Sequence, residues 1–197
     1  MKKILLGLLL ISQSVFAQDS TDKKLNNWVL SSKASTLNFV TTKNAIKTEV
    51  QSFQELSGKI TNNIATLNVD LNSVVTGIEI RDERLKKLFF NTPLFPQATV
   101  NIDLSSNSIS RMKKGDIKKL DVNAVLDIHG VKQNKKIQLQ VVALDKHTRL
   151  VSAYQPLIIN LQNFKLLEEV NELRELARLK SINAAVPVTF NLMYIQK

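Results

Sequence analysis

Ile64-Ala65-Thr66-Leu67-Asn68-Val69-Asp70-Leu71-Asn72-Ser73-Val74-Val75 decides the fold. Ala65, Leu67, Val69 and Leu71 alternate with Thr66, Asn68, Asp70 and Asn72. A period of two is that of a strand with one buried and one wet face. The same alternation spreads outward from this stretch. Leu37 and Phe39 stand against Thr36 and Asn38 in a strand predicted over Ser35 to Thr42, and a second runs from Glu49 to Thr61 with Gly58 as its expected bend. Val100, Ile102 and Leu104 repeat the pattern downstream. Val122, Ala124, Leu126 and Ile128 then face one way against Asn123, Asp127 and His129. After a turn read at Gly130 to Asn134, Ile137, Leu139 and Val141 alternate with Gln138 and Gln140, which predicts a hairpin. Further strands are expected at Leu150 to Leu161 and at Ile182 to Ile195, where Val186, Val188, Phe190, Leu192 and Tyr194 share a face.

Two stretches break this period. Gly77 to Phe90 reads as an amphipathic turn or two that stops before Pro93, and Leu166 to Lys180 spaces Leu166, Val170, Leu173 and Ala177 by three and four. About eight antiparallel strands with one or two short helical inserts therefore predict an all-β domain. An eight-stranded closed barrel removes the sheet edges and encloses room for packed side chains or one small ligand, whereas periodicity leaves a two-sheet sandwich open.

The chain has 197 residues, no cysteine and a formal charge of +10, two units of which come from Lys2 and Lys3. Those lysines, the apolar run Ile4 to Ile11 and Val15-Phe16-Ala17 have the layout of a signal peptide, with cleavage expected after Ala17 and the periplasm as the expected address. The apolar run is shorter than the roughly 20 residues that a spanning helix needs. Residues 18–27 read as a polar lead-in, and 28–197 as one domain. Without cysteine the fold is held by its core alone, and thiolate nucleophiles and Cys metal sites are excluded. Export makes nucleic acid a poor partner for the positive excess. A transient contact with an anionic membrane surface remains, as does simple solubility.

His129 and His147 are the only histidines, and neither HExxH spacing, a GxSxG elbow nor a phosphate-cradling glycine loop is present. No metal site and no cofactor are expected. An enzyme acting on a small amphiphile would need His129 with Asp127 or Asp82, and a ligand-free envelope stress protein needs no site at all. Lys113-Lys114, Lys118-Lys119 and Lys135-Lys136 flank turns.

Several motifs occur in a set order. Trp28-Val29-Leu30 is followed by Ser35-Thr36-Leu37-Asn38-Phe39 and by Phe53-Gln54-Glu55-Leu56-Ser57-Gly58. Asn68 to Thr76 precedes Arg81-Asp82, Phe89-Phe90 and Phe95-Pro96-Gln97-Ala98, and Leu126-Asp127-Ile128-His129-Gly130 closes the series. This order resembles the YceI-like family of exported lipocalin-like proteins across Trp28 to Tyr194. The resemblance implies an extended antiparallel barrel that binds a polyisoprenoid, of prenyl quinone or prenyl pyrophosphate type, without metal or covalent chemistry. One departure stands at Asn163-Phe164-Lys165, where the family usually has aspartate-phenylalanine-glycine, before the added helix. The apolar candidates for lining a tunnel are Leu37, Phe39, Phe53, Leu67, Val69, Leu71, Ile102, Leu126, Ile128, Leu139, Val141, Val188 and Phe190; ordinary core packing is the competing role of each. Phe89, Phe90 and Phe95 are candidates to close its mouth. Arg81 and Arg84, with Lys86 and Lys87 beside them, are candidates to meet a head group.

Overall fold

The computed structural model describes residues 27–106, 109 and 111–197. The expected signal peptide and nearly all of the lead-in lie outside them. Strands β1 (Trp28–Leu30) and β2 (Thr36–Lys43) form one stave interrupted by a 3-10 turn, and β3 (Lys47–Phe53) and β4 (Leu56–Thr61) form the next. The staves continue as β5 (Ile64–Asp70), β7 (Gln97–Asp103), β8 (Ile117–Ile128), β9 (Val131–Ala143), the pair β10 (Thr148–Ala153) and β11 (Leu157–Asn160), and β12 (Ala185–Gln196). The short β6 (Val74–Val75) adds to β3.

Each stave pairs antiparallel with the next, and β12 returns to β1 and β2 through Trp28↔Gln196 and Val188↔Phe39. The eight staves thus close into a barrel, which settles the choice against a sandwich. Apolar side chains face in and polar ones face out, the reverse of a membrane-spanning barrel. No helix among the described residues is long and apolar enough to cross a membrane.

The break in the second stave falls at Gln54-Glu55, not at Gly58. Gly58 has another reason to lack a side chain. A Cβ there would meet the Thr66 carbonyl oxygen at 2.7 Å and the Tyr194 hydroxyl at 3.2 Å, so the wall is closely approached at this point. The β8–β9 turn is also tighter than expected. Ile128 pairs with Val131, and His129 and Gly130 carry it with φ of 54° and 74°, the left-handed pair that a two-residue hairpin requires.

The first helical stretch is α1 (Glu79–Arg84), continued by a π-helical turn over Leu85–Phe89, and the second is α2 (Leu167–Leu176). The added helix follows a strained residue. Lys165 has φ 59°, a left-handed backbone that a residue with a Cβ tolerates poorly, at a cost of about 1–2 kcal/mol. Fully buried Phe164 and Leu166 anchor both sides of that kink.

One end of the barrel is plugged. Arg149, with no exposed surface, lies 4.7 Å from the centre of the Trp28 ring, itself almost fully buried. Its guanidinium donates to four backbone carbonyls, those of Ile109, Met112, Asp145 and Thr148, at 2.7 to 3.2 Å. Burial lowers its pKa, opposed by nearby Asp145 and Asp116.

Candidate ligand cavity

A well-packed core leaves few voids larger than one water. This barrel is hollow. Inside it lies a cavity of about 160 Å³, roughly ten times the volume that one water needs, lined by Leu37, Leu67, Val69, Ile102, Leu126, Ile128, Leu139, Val141, Val188 and Phe190 among others. Burial of the Tyr194 hydroxyl in this wall raises its pKa far above the ordinary value.

A second cavity of about 600 Å³ lies above it, between the β2–β3 flap, α1 with its π-helical turn, and α2. Ala98, Ile128, Ile159 and Val188 line both, so the two adjoin at one shared wall. The upper chamber holds Phe39, Phe53, Phe90 and Phe89, whose rings follow one another in that order at centroid spacings of 5.2, 5.8 and 4.9 Å. Leu71 and, from the second helix, Val170 and Leu173 complete this greasy wall. The lower cavity is mainly aliphatic and the upper one aromatic-rich.

Phe95 is placed elsewhere. Its ring packs against that of His129 at a centroid distance of 4.1 Å, tilted by 48°, and lines neither cavity. The tight His129-Gly130 turn brings that histidine onto Phe95, and its Nε2 has no hydrogen-bond partner. Asp82 accepts from the Thr76 backbone amide and hydroxyl, at 2.8 and 2.6 Å, and so caps the approach to α1 instead of joining His129. Asp127 lies on β8, paired with Thr99 and Lys132 of its neighbours.

Arg81 and Arg84 line the upper chamber, whereas Lys86 and Lys87 turn to Glu83 at 3.2 and 3.4 Å. The flap adds two cations that sequence reasoning missed, Lys43 and Lys47. They flank a hairpin tip that alternation alone reads as solvent-facing; only the packing of α1 against this flap gives them a role. Glu49 binds Lys43, Lys47 at 3.2 Å and Arg81 at 2.9 Å. The hydrogen bond from Lys43 is the largest effect on its carboxyl; burial, the next largest, opposes it, and the hydrogen bond from Lys47 with the charges of Lys43 and Arg81 brings the value from 4.5 down to about 2. A depressed folded pKa stabilises above the unfolded value and is lost as pH falls through the folded one. Glu49→Gln should therefore cost about 1 kcal/mol at neutral pH, the scale of a near-surface ion-pair network. Urea midpoints of the two proteins should converge as pH falls from 4.5 towards 2.

The YceI-like domain model matches residues 28–194. The chain belongs to the YceI-like family. A polyisoprenoid-binding domain from Saccharophagus degradans is 36% identical, with 86% of this chain and 98% of that one covered and a TM-score of 0.84. Burkholderia cenocepacia BcnA shares the fold at 15% identity and a TM-score of 0.59, over 83% of this chain and 98% of that one. The Campylobacter jejuni YceI protein does so at 16% and 0.50, over 75% and 84%. No curated protein sequence matches the chain. The double phenylalanine that carries the resemblance, Phe89-Phe90, lies in the upper chamber, and the His129-Gly130 turn packs against Phe95.

Proposed function

We propose that this is an exported, periplasmic binding or carrier protein that holds a long-chain isoprenoid, of prenyl quinone or prenyl pyrophosphate type, with its tail in the barrel. One observation carries the reading: an apolar hollow that begins above the Arg149 plug and adjoins a chamber whose charged residues are Lys43, Lys47, Arg81 and Arg84. The 36% identical Saccharophagus degradans domain, described as polyisoprenoid-binding, supports the same ligand class.

The physics suits a carrier. Each buried CH₂ is worth about 0.8 kcal/mol against water, so a free tail in solvent is not the competing state. The competitor is a bilayer, and a dry aliphatic tunnel needs only to match it as a solvent for hydrocarbon. The walls favour binding over catalysis, because no aspartate, glutamate, histidine or cysteine is among the described residues that line either cavity. Native mass spectrometry and lipid extraction of protein purified from its own host should find a prenyl lipid. Protein that remains free of any isoprenoid, and takes none up from micelles, would end this assignment.

A further inference from the structure

The upper chamber opens to solvent through a rim that mixes two kinds of residue. Ile46, at the tip of the β2–β3 hairpin, is 87% exposed, and Ile78 and Ile80, at the start of α1, are 47% and 60% exposed. Isoleucines in that state are unfavourable against water. Ile46 stands next to Lys47, which lines the chamber, so exposed isoleucines flank the opening from both the flap and the first helix. Ile78 and Ile80 also line the chamber, so each presents apolar surface both to solvent and to the interior.

Cations are interleaved with these isoleucines. Lys47, whose side chain is 66% exposed, and Arg81 and Arg84 line the same chamber. Of the three acids of α1, Glu83 faces Lys86 and Lys87, Asp82 keeps its charge while it accepts from Thr76, and Glu79 lies exposed between Ile78 and Ile80. With Glu49 shared by Lys43, Lys47 and Arg81, the six cations of the flap and first helix, Lys43, Lys47, Arg81, Arg84, Lys86 and Lys87, stand against four acids, Glu49, Glu79, Asp82 and Glu83, which leaves the rim with a positive excess of two.

Exposed apolar side chains between cations suit a bilayer of anionic lipid: the cations meet phosphates while the apolar groups enter the boundary with the acyl chains. We propose that this rim, formed by Ile46, Ile78, Ile80, Lys47, Arg81 and Arg84, is a docking face for an anionic phospholipid bilayer. The inference rests on the isoprenoid reading above, and it adds the route: the tail passes from bilayer to chamber over Ile78 and Ile80, which face both. The opposite end of the barrel also carries exposed Ile117 with Lys113 and Lys114, but there Arg149 and Trp28 seal the interior.

The test is co-sedimentation of the full protein with vesicles of phosphatidylcholine alone or of phosphatidylcholine and phosphatidylglycerol in equal parts, neither containing isoprenoid. Each cation near an anionic surface is worth about fivefold in binding, so the mixed vesicles should bind at least tenfold more tightly. That preference should collapse near 1 M salt, where the Debye length is about 3 Å. Lys47→Gln with Arg84→Gln should weaken the binding by about twentyfold. Ile46→Asp should remove most of it, and Lys113→Gln with Lys114→Gln should leave it unchanged. Equal binding to both vesicle types, wild-type binding by Ile46→Asp, or an equal loss in the Lys113 and Lys114 variant would overturn the proposal. Uptake of an octaprenyl ligand from detergent micelles is measured in parallel. Ile46 does not line the chamber, so Ile46→Asp should keep that uptake. Failure of uptake by the wild-type protein sinks the isoprenoid reading alone, since the vesicle assay decides docking by itself.

Discussion

Arg149→Met should destabilise the protein by about 3–5 kcal/mol and lower its Tm by roughly 10 °C. Replacement of a buried ion pair by apolar side chains is often harmless because both charges leave together. Here the partners of the guanidinium are the carbonyls of Ile109, Met112, Asp145 and Thr148, which no side-chain substitution removes. Each buried acceptor left without a donor costs about 1–3 kcal/mol. Arg149→Lys should recover only part of the loss, because an ammonium cannot spread its donors over the planar fork that reaches all four. Urea denaturation of the three proteins measures this directly. A loss under about 1 kcal/mol for the methionine variant would mean that water can replace the guanidinium at that end.

Ala98→Phe should divide the ligands by length. Ala98 sits opposite Val69 and lines both cavities, so a phenylalanine there fills the junction between them. A farnesyl tail, short enough for the upper chamber, should bind as before. An octaprenyl tail should lose at least tenfold in affinity, because two displaced methylenes at about 0.8 kcal/mol each already amount to that factor. The substitution should itself cost about 1–3 kcal/mol of stability through overpacking. Competition binding with the two tail lengths separates the outcomes. Unchanged octaprenyl affinity would show that the tail does not run through the junction, and equal losses for both lengths would point to general distortion of the barrel.

The contrast between Ala98 and Arg149 shows which features the sequence could convey. Ala98 falls on the inward register of β7 with Val100 and Ile102, so its face follows from alternation, yet its position where two cavities meet depends on strands far away in the chain. Arg149 occupies an inward position of β10, where a charged residue reads as a break in the pattern; its partners Ile109 and Met112 lie some forty residues earlier. Phe95 shows the reverse error. Neighbouring Phe89 and Phe90 face the chamber, but the chain turns at Asn91, with φ of 46°, and Phe95 lands on the His129 turn instead.

Lys43, Lys47 and Glu49 were invisible as a site for a related reason. A charged hairpin tip normally points to water, and nothing local distinguishes this one from Lys113-Lys114. The salt bridge from Arg81, 32 residues on, makes it part of a chamber wall.

Alternation of apolar and polar residues determined from the sequence alone that this chain forms antiparallel strands with one buried face, because a period of two is a property of the local backbone. The ordered motifs added the family. The motifs implied a hollow barrel only through that family, and they pointed to Arg81 and Arg84 but not to their partners; the observed closure, the arginine plug and the Lys43, Lys47 and Glu49 cluster came from the tertiary structure. Each depends on the distance between side chains remote in sequence, and a void in particular is set by the volumes of all the surrounding walls together.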